Sequence, residues 1–279
     1  GLLSIGYILY LSDQSFFEYL APAIEQGKLN VFNFDSNIFT NPWSAFSAIF
    51  GGMLLSFSSH GIDYMMVQRS LSCRSLSDAK KAMLGSGIVV FVQFTVFLLV
   101  GTFLYLYYNG IEMQKDREFA TYIVNVLPVG IKGILLAGVL SAAMSTLSSS
   151  INSLASSTLI DWYKKSDNLR LSKLFSFIWA IVLIGIALIF DEGDKAIVIV
   201  GLQIASFTYG ALLGLFVLSR VDRDFHPVSL IEGLIMSIGF TLLLKQTGLA
   251  WTFFIASGVI INIATVFTVD CLIKKIQRL

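Results

Sequence analysis

Residues 131–160 read IKGILLAGVLSAAMSTLSSSINSLASSTLI, and this stretch decides the fold. After Lys132 it carries no charge, and at about 1.5 Å per residue it exceeds the roughly 30 Å that a helix needs to cross hydrocarbon. It is not uniformly apolar. Ser141, Ser145, Ser148, Ser149 and Asn152 recur at i, i+4, i+7, i+8 and i+11, the spacing of one helix face, with Thr146 beside Ser145 and small Ala142 and Ala143 just above. A polar atom inside hydrocarbon raises the free energy unless it has a partner or a purpose. Hydroxyl and carbonyl oxygens are neutral, hard ligands, suited to a singly charged hard cation such as sodium, which takes about five or six of them. The same residues admit a plainer reading. Ser and Thr in membrane helices bond back to the i−4 carbonyl, and small residues let helices pack closely.

The rest of the chain is made of similar material. Of 279 residues, 56% are hydrophobic and 13% charged, and mean hydropathy is +0.78, whereas a soluble domain carries about 25% charge. That excludes a soluble globular protein. The 23 Phe and four Pro argue against disorder, and the alternating ten-residue blocks of an outer-membrane barrel do not occur. An all-α membrane protein with the lipid bilayer as its partner remains. The formal charge of +1 gives no ground for a nucleic-acid partner. Apolar runs lie at 1–12, 43–67, 84–108, 129–160, 172–190, 196–219, 228–244 and 249–273, one partial and seven whole spans of a multi-pass protein. The chain opens at Gly1 without an initiator Met or a basic leader and is apolar from Leu2, so it reads as a fragment of a longer protein.

Charge alternates between the connecting segments and orients the spans, because Lys and Arg are retained on the cytoplasmic side. Arg69, Arg74, Lys80 and Lys81 share one inner loop; Lys164, Lys165, Arg170 and Lys173 mark the next; Arg220 and Arg223, then Lys274, Lys275 and Arg278, mark the last two. Residues 13–41 carry Asp13, Glu18, Glu25 and Asp35 against Lys28 and lie outside, as do 109–127 and the turn with Asp191, Glu192 and Asp194. Within the first outer loop, Phe16, Phe17, Leu20 and Ile24 fall near helical spacing and predict a short surface helix. Ser77, followed by Asp78, Lys80 and Lys81, reads as a helix start. Trp162, Tyr163, Lys164 and Lys165 read as an interfacial anchor after Asp161. Cys73 and Cys271 fall at the inner side, where thiols stay reduced, and no disulfide is expected.

Two segments carry a resemblance. LAGVLSAAMSTLSSSINSLASSTLIDWYKK, at 136–165, resembles the most characteristic stretch of the sodium:solute symporter family, which includes bacterial proline and sialic acid carriers and the sodium-glucose transporters. SHGIDYMMVQRSLSCRSLSDAKKAM, at 59–83, is similar to a second signature, usually GTDQ followed by VQR and a basic, Ser-rich loop; here Asp63 and Tyr64 stand in place of DQ. The resemblance extends along essentially the whole chain. It implies an inverted-repeat transporter fold with a five-plus-five helix core. Residues 1–12 would be the end of core helix 5, residues 43–219 core helices 6 to 10, and 228–273 two accessory helices, with core helices 1 to 4 outside this chain.

The resemblance also implies a site. A sodium ion would take the carbonyl of Ala142 and the hydroxyls of Ser145 and Thr146, with further carbonyls from core helix 1. A second sodium, present in some members, would match Ser145, Ser148 and Ser149. Solute contacts fall on Ser56, Ser59 and His60 of core helix 6 and on Gln203, with Ser206, of core helix 10. Sugar carriers have an Asn where Ser56 stands and aromatics at the positions of Ser59 and His60, and His60 could meet an anionic group. Asp63 and Arg69, six residues apart at the inner end of their span, would form a gate.

The expected function is therefore sodium-coupled symport by alternating access in the plasma or inner membrane. The cargo would be a small organic solute, whether sugar, sugar acid, amino acid or carboxylate. Sodium enters as a co-transported ligand and no cofactor is expected. An ion channel, or a carrier not coupled to sodium, would use the same Ser-rich helix, but a channel would call for a symmetric repeat or a charged ring, which is not visible. An enzyme would need a nucleophile with a base, or paired His ligands; His60 and His226 are far apart.

Overall fold

The structure, a computed structural model, describes residues 1–35, 37–111, 117–164, 168–190 and 196–277. Lys115, Lys165, Asp191, Glu192, Asp194 and Arg278 lie outside the described residues. Eleven α-helices run through the described residues: α1 Leu2–Ser12, α2 Phe16–Glu25, α3 Ala45–Gly61, α4 Tyr64–Leu71, α5 Leu76–Tyr107, α6 Glu118–Asn125, α7 Val129–Ser157, α8 Leu169–Ile189, α9 Ile197–Leu218, α10 Pro227–Leu244 and α11 Phe254–Ile276. Among the described residues, six segments are helical, long and apolar enough to cross a membrane, and α3 with α4 makes a seventh if the bent pair is one span.

Side chains set the helix starts. Ser44, Asp63, Ser75 and Asn168 each accept from a backbone N–H two or three residues on, satisfying a donor that the first turn leaves orphaned. The start expected at Ser77 is thereby corrected: Ser75 caps α5, accepting from the Asp78 N–H at 3.1 Å and donating to the Asp78 carboxylate at 2.9 Å. A second correction concerns the run at 43–67. It is not one straight helix, because α3 stops at Gly61 and α4 leaves at 60°. Asp63 causes the break. Its backbone is extended and its carboxylate caps α4 through the Met65 N–H at 2.9 Å, which a continuous helix would not allow.

The chain forms two compact units, each built from two separate segments. The first holds α1, α2 and α5 to α8. Its buried core joins Ile5 and Ile8 of α1, Leu20 of α2, Val100, Phe103 and Leu104 of α5, and Tyr122, Ile123 and Leu127 around α6. The helix expected from Phe16, Phe17, Leu20 and Ile24 is α2. It stacks Tyr19 on Phe103 with ring centroids 5.0 Å apart, and Lys28, just beyond it, sits 4.7 Å over the Tyr105 ring. Burial pushes the Tyr122 phenol of α6 above its ordinary range, and nearby tyrosines, Tyr107 first, add to this. Where α7 ends, the backbone widens into a π turn, Thr158–Trp162, and Trp179 of α8 donates its ring N–H to the Thr158 hydroxyl at 3.0 Å.

The second unit holds α3, α4 and α9 to α11. Lipid tails are as apolar as leucine, so association of these helices rests on close packing and hydrogen bonds. Small residues supply the closeness: a Cβ on Gly210 of α9 or on Gly258 of α11 would lie 3.0 Å from the other's Cα. Ser237 of α10 donates to the Gly258 carbonyl at 2.7 Å. At the far end of this bundle the Asp270 carboxylate of α11 is fully buried. It accepts from Arg223 at 2.7 Å and from the His226 backbone N–H at 2.9 Å, and pairs with Lys274 at 2.9 Å. Arg223 also lies between the rings of Phe225 and Phe267, 5.4 and 5.3 Å from their centroids.

Candidate functional site

The hydroxyl row of 131–160 lies on α7, in the first unit. Ser145, Thr146 and Ser148 are exposed. Ser149 donates to the Ser145 carbonyl at 2.9 Å and Ser150 to the Thr146 carbonyl at 3.0 Å, the back-bonding that the plainer reading expects. That reading covers only part of the row. Ser145, Thr146 and Ser148 make no such bond among the described residues, which leaves three exposed hydroxyls within about one turn of α7. Ala142, one turn before Thr146, is exposed as well. A row of neutral oxygens on one helix face can complete part of a cation's shell and no more, since five or six ligands are required.

The solute residues lie in the second unit. Ser56, Ser59 and His60 occupy the last turns of α3, and Gln203 and Ser206 lie on α9, which packs against α3. His60 turns back on its own helix. Its Nδ1 lies 2.9 Å from the Ser56 carbonyl and 3.0 Å from the Ser59 hydroxyl. A carbonyl can only accept, so this contact uses Nδ1 as the donor. Ser59 also donates to the Ser56 carbonyl, at 3.2 Å. Ser206 is buried and spends its hydroxyl on the Leu202 carbonyl at 2.7 Å, so it contributes packing rather than an open ligand. Gln203 is half-buried, with no hydrogen bond to its carboxamide among the described residues.

Asp63 stands at the break between α3 and α4, and Arg69 is on α4 in the exposed class. The Asp63 carboxylate is divided between two donors: the Met65 N–H on Oδ1, and the Tyr209 hydroxyl of α9 on Oδ2 at 2.7 Å. Sequence reasoning missed Tyr209. The signal was a phenol one turn after Ser206 in an otherwise apolar run, and its partner is 146 residues away. Asn262 and Asp270 of α11 were missed for a similar reason, each being an isolated polar residue between apolar neighbours.

Comparison with known proteins places the chain in a family. The sodium:solute symporter family model matches residues 3–221. The sodium-dependent multivitamin transporter of Oryctolagus cuniculus is 30% identical over 230 residues, which cover 72% of this chain and 35% of that protein. Sodium-coupled monocarboxylate transporter 1 of Mus musculus is 25% identical over 264 residues, 87% of this chain and 43% of that one. A solved structure, the substrate-bound outward-open state of a Na+-coupled sialic acid symporter, superposes with a TM-score of 0.77 at 20% identity, covering 97% of this chain and 58% of that chain. That likeness establishes the fold. The chain spans about two-fifths of the length of the curated relatives it matches.

Proposed function

Because the chain belongs to the sodium:solute symporter family, we propose that it forms part of a sodium-coupled carrier that moves a small organic solute across the plasma or inner membrane by alternating access. The observation that carries this reading is the exposed cluster of Ser145, Thr146 and Ser148 on α7, which falls inside the region matched by the family. Sodium would be held by the Ala142 carbonyl and the Ser145 and Thr146 hydroxyls, and a second ion by Ser145, Ser148 and Ser149. The remaining oxygens would come from another helix. An ion that bridges two helices favours whichever conformation brings them together, and so couples sodium occupancy to solute affinity.

On the solute side, Ser56, Ser59, His60 and the Gln203 carboxamide would supply hydrogen-bond donors and acceptors. They suit a solute bearing hydroxyl or carboxylate groups, the chemistry shared by sugars, sugar acids, amino acids and monocarboxylates. Asp63 and Arg69 would close the inner end.

The test is uptake by the full-length protein. Labelled sugars, sugar acids, amino acids and monocarboxylates are screened with and without sodium, and the solute found is then used across a sodium titration. Ser145→Ala or Thr146→Ala removes one ligand oxygen, a contact worth roughly 1.5 to 3 kcal/mol, and should weaken apparent sodium affinity by about one to two orders of magnitude. Solute affinity should fall mainly at low sodium and recover as sodium is raised. Ser153→Ala, on the same helix but buried and outside the ligand positions, keeps the parent sodium dependence. Equal half-saturation in all three variants rejects the site.

A further inference from the structure

Asp63 sits at a bend in the chain. The helix breaks there by 60°, and Gly61, two residues before it, has nothing within 4 Å of where a Cβ would lie, so no side chain is packed against the break at that point. The bond from Asp63 to Met65 is local and travels with α4. The bond to Tyr209 is different in kind, because it reaches a helix that is held fast. Gly210, next to Tyr209, lies against Gly258 of α11, and the turn that follows α9 is tied through Arg223 to the buried Asp270. The Asp63–Tyr209 hydrogen bond therefore joins the break between α3 and α4 to a helix packed closely against its neighbour.

Its level in the unit is informative. Asp63 follows His60 by three residues on one side and Tyr209 follows Ser206 by three on the other. On α9 three residues are about 4.5 Å of helix rise, and Asp63 lies just past the end of α3. Both helices run from the acid-leaning loops toward the basic ones, so the bond crosses from the α3–α4 break to α9 on the cytoplasmic side of His60 and Ser206.

We propose that Tyr209 is a positioning residue of the transport cycle: its hydroxyl latches the α3–α4 break to α9 beneath the solute residues, and release of this bond lets α4 swing toward the inward-open state. The proposal rests on the alternating-access reading and adds to it the element that moves and the bond that must break. A phenol donating to a carboxylate is a charge-assisted hydrogen bond, strong enough to bias two conformations yet breakable in each cycle.

The experiment uses the full-length transporter with its native cysteines replaced. One reporter, Ser70→Cys, is on α4; a second, Asp222→Cys, is on the exposed turn after α9. Alkylation by a maleimide from the cytoplasmic face of inside-out vesicles is timed in sodium and in choline. In the parent, sodium should slow alkylation at position 70. Tyr209→Phe, which removes only the hydroxyl, should speed it in saturating sodium by about tenfold or more, the size of a lost hydrogen bond to a charged group. Asp63→Asn retains a capping side chain and should act in the same direction but less, and the double variant should add little to Tyr209→Phe. Position 222 should not change. Sodium protection at position 70 that is equal in the parent and Tyr209→Phe overturns the latch and leaves the sodium reading standing. A parent without sodium protection overturns both. Alkylation that rises equally at positions 70 and 222 means general loosening and also overturns the latch.

Discussion

Gly214 of α9 lies so close to Asn262 of α11 that a Cβ on the glycine would stand 2.7 Å from the carboxamide carbon. Both polar atoms of that carboxamide are buried without a hydrogen-bond partner among the described residues, so shape rather than polar pairing holds Asn262. Gly214→Ala should therefore lower stability by about 1 to 3 kcal/mol, the range for overpacking a filled contact. Gly239→Ala, on α10 with nothing within 4 Å of its Cβ position, should be neutral or gain up to about 1 kcal/mol from helix propensity. Thermal unfolding of the two variants in detergent compares them directly. Equal midpoints would mean that α9 and α11 do not meet at this level.

Helix α2 carries a pH dependence of its own. One Glu18 oxygen accepts from both the Ser15 hydroxyl at 2.6 Å and the Ser15 backbone N–H at 2.9 Å, and these bonds hold the carboxyl below the ordinary carboxylate value of 4.5. A depressed folded value stabilises fully above the unfolded one and loses that contribution as pH falls through the folded value. Protection of the α2 amides from hydrogen exchange, corrected for intrinsic rate, should therefore decline below pH 4.5 in the parent. Glu18→Gln has no proton to gain and should show no such decline.

The charge pattern predicts which ends face the cytoplasm. In intact cells, an impermeant thiol reagent should label Lys28→Cys and Lys115→Cys, and it should reach Cys73 and Lys164→Cys only after permeabilisation. Labelling of Cys73 in intact cells without labelling at position 28 would invert the topology.

How far the sequence could be read followed from the range of the forces involved. Helices such as α7, α8 and α9 were legible because an apolar run of spanning length leaves the backbone no choice in hydrocarbon but to bond within itself. The break at Asp63 was harder, since one capping side chain outweighed a mostly apolar run of spanning length. Its trace was present in Gly61 and Asp63, an unprotected glycine followed by a residue that prefers to start helices. The hydroxyl row was visible because it repeats. Tyr209, Asn262 and Asp270 do not repeat, and what each one does depends on a residue 146, 48 or 47 positions away: Asp63, Gly214 or Arg223. Distance of that kind leaves no periodic mark. His60 shows the opposite case, a residue singled out as a ligand whose Nδ1 is already committed to its own helix.

The carboxylate of Asp270 has a consequence for how the chain is made. Arg223 and the His226 N–H leave the ribosome first, and the group that neutralises them follows 47 and 44 residues later. At about 5 to 20 residues per second, the turn after α9 waits about 2 to 10 s before it can close. During that interval α9 and α10 lack the surface of α11 into which their glycines fit. The assembly of this helix trio is thus timed by its last member, and an interruption of synthesis between Arg223 and Asp270 would leave the arginine without the buried partner that fixes its place, with only the flanking Asp222 and Asp224 near it in the chain.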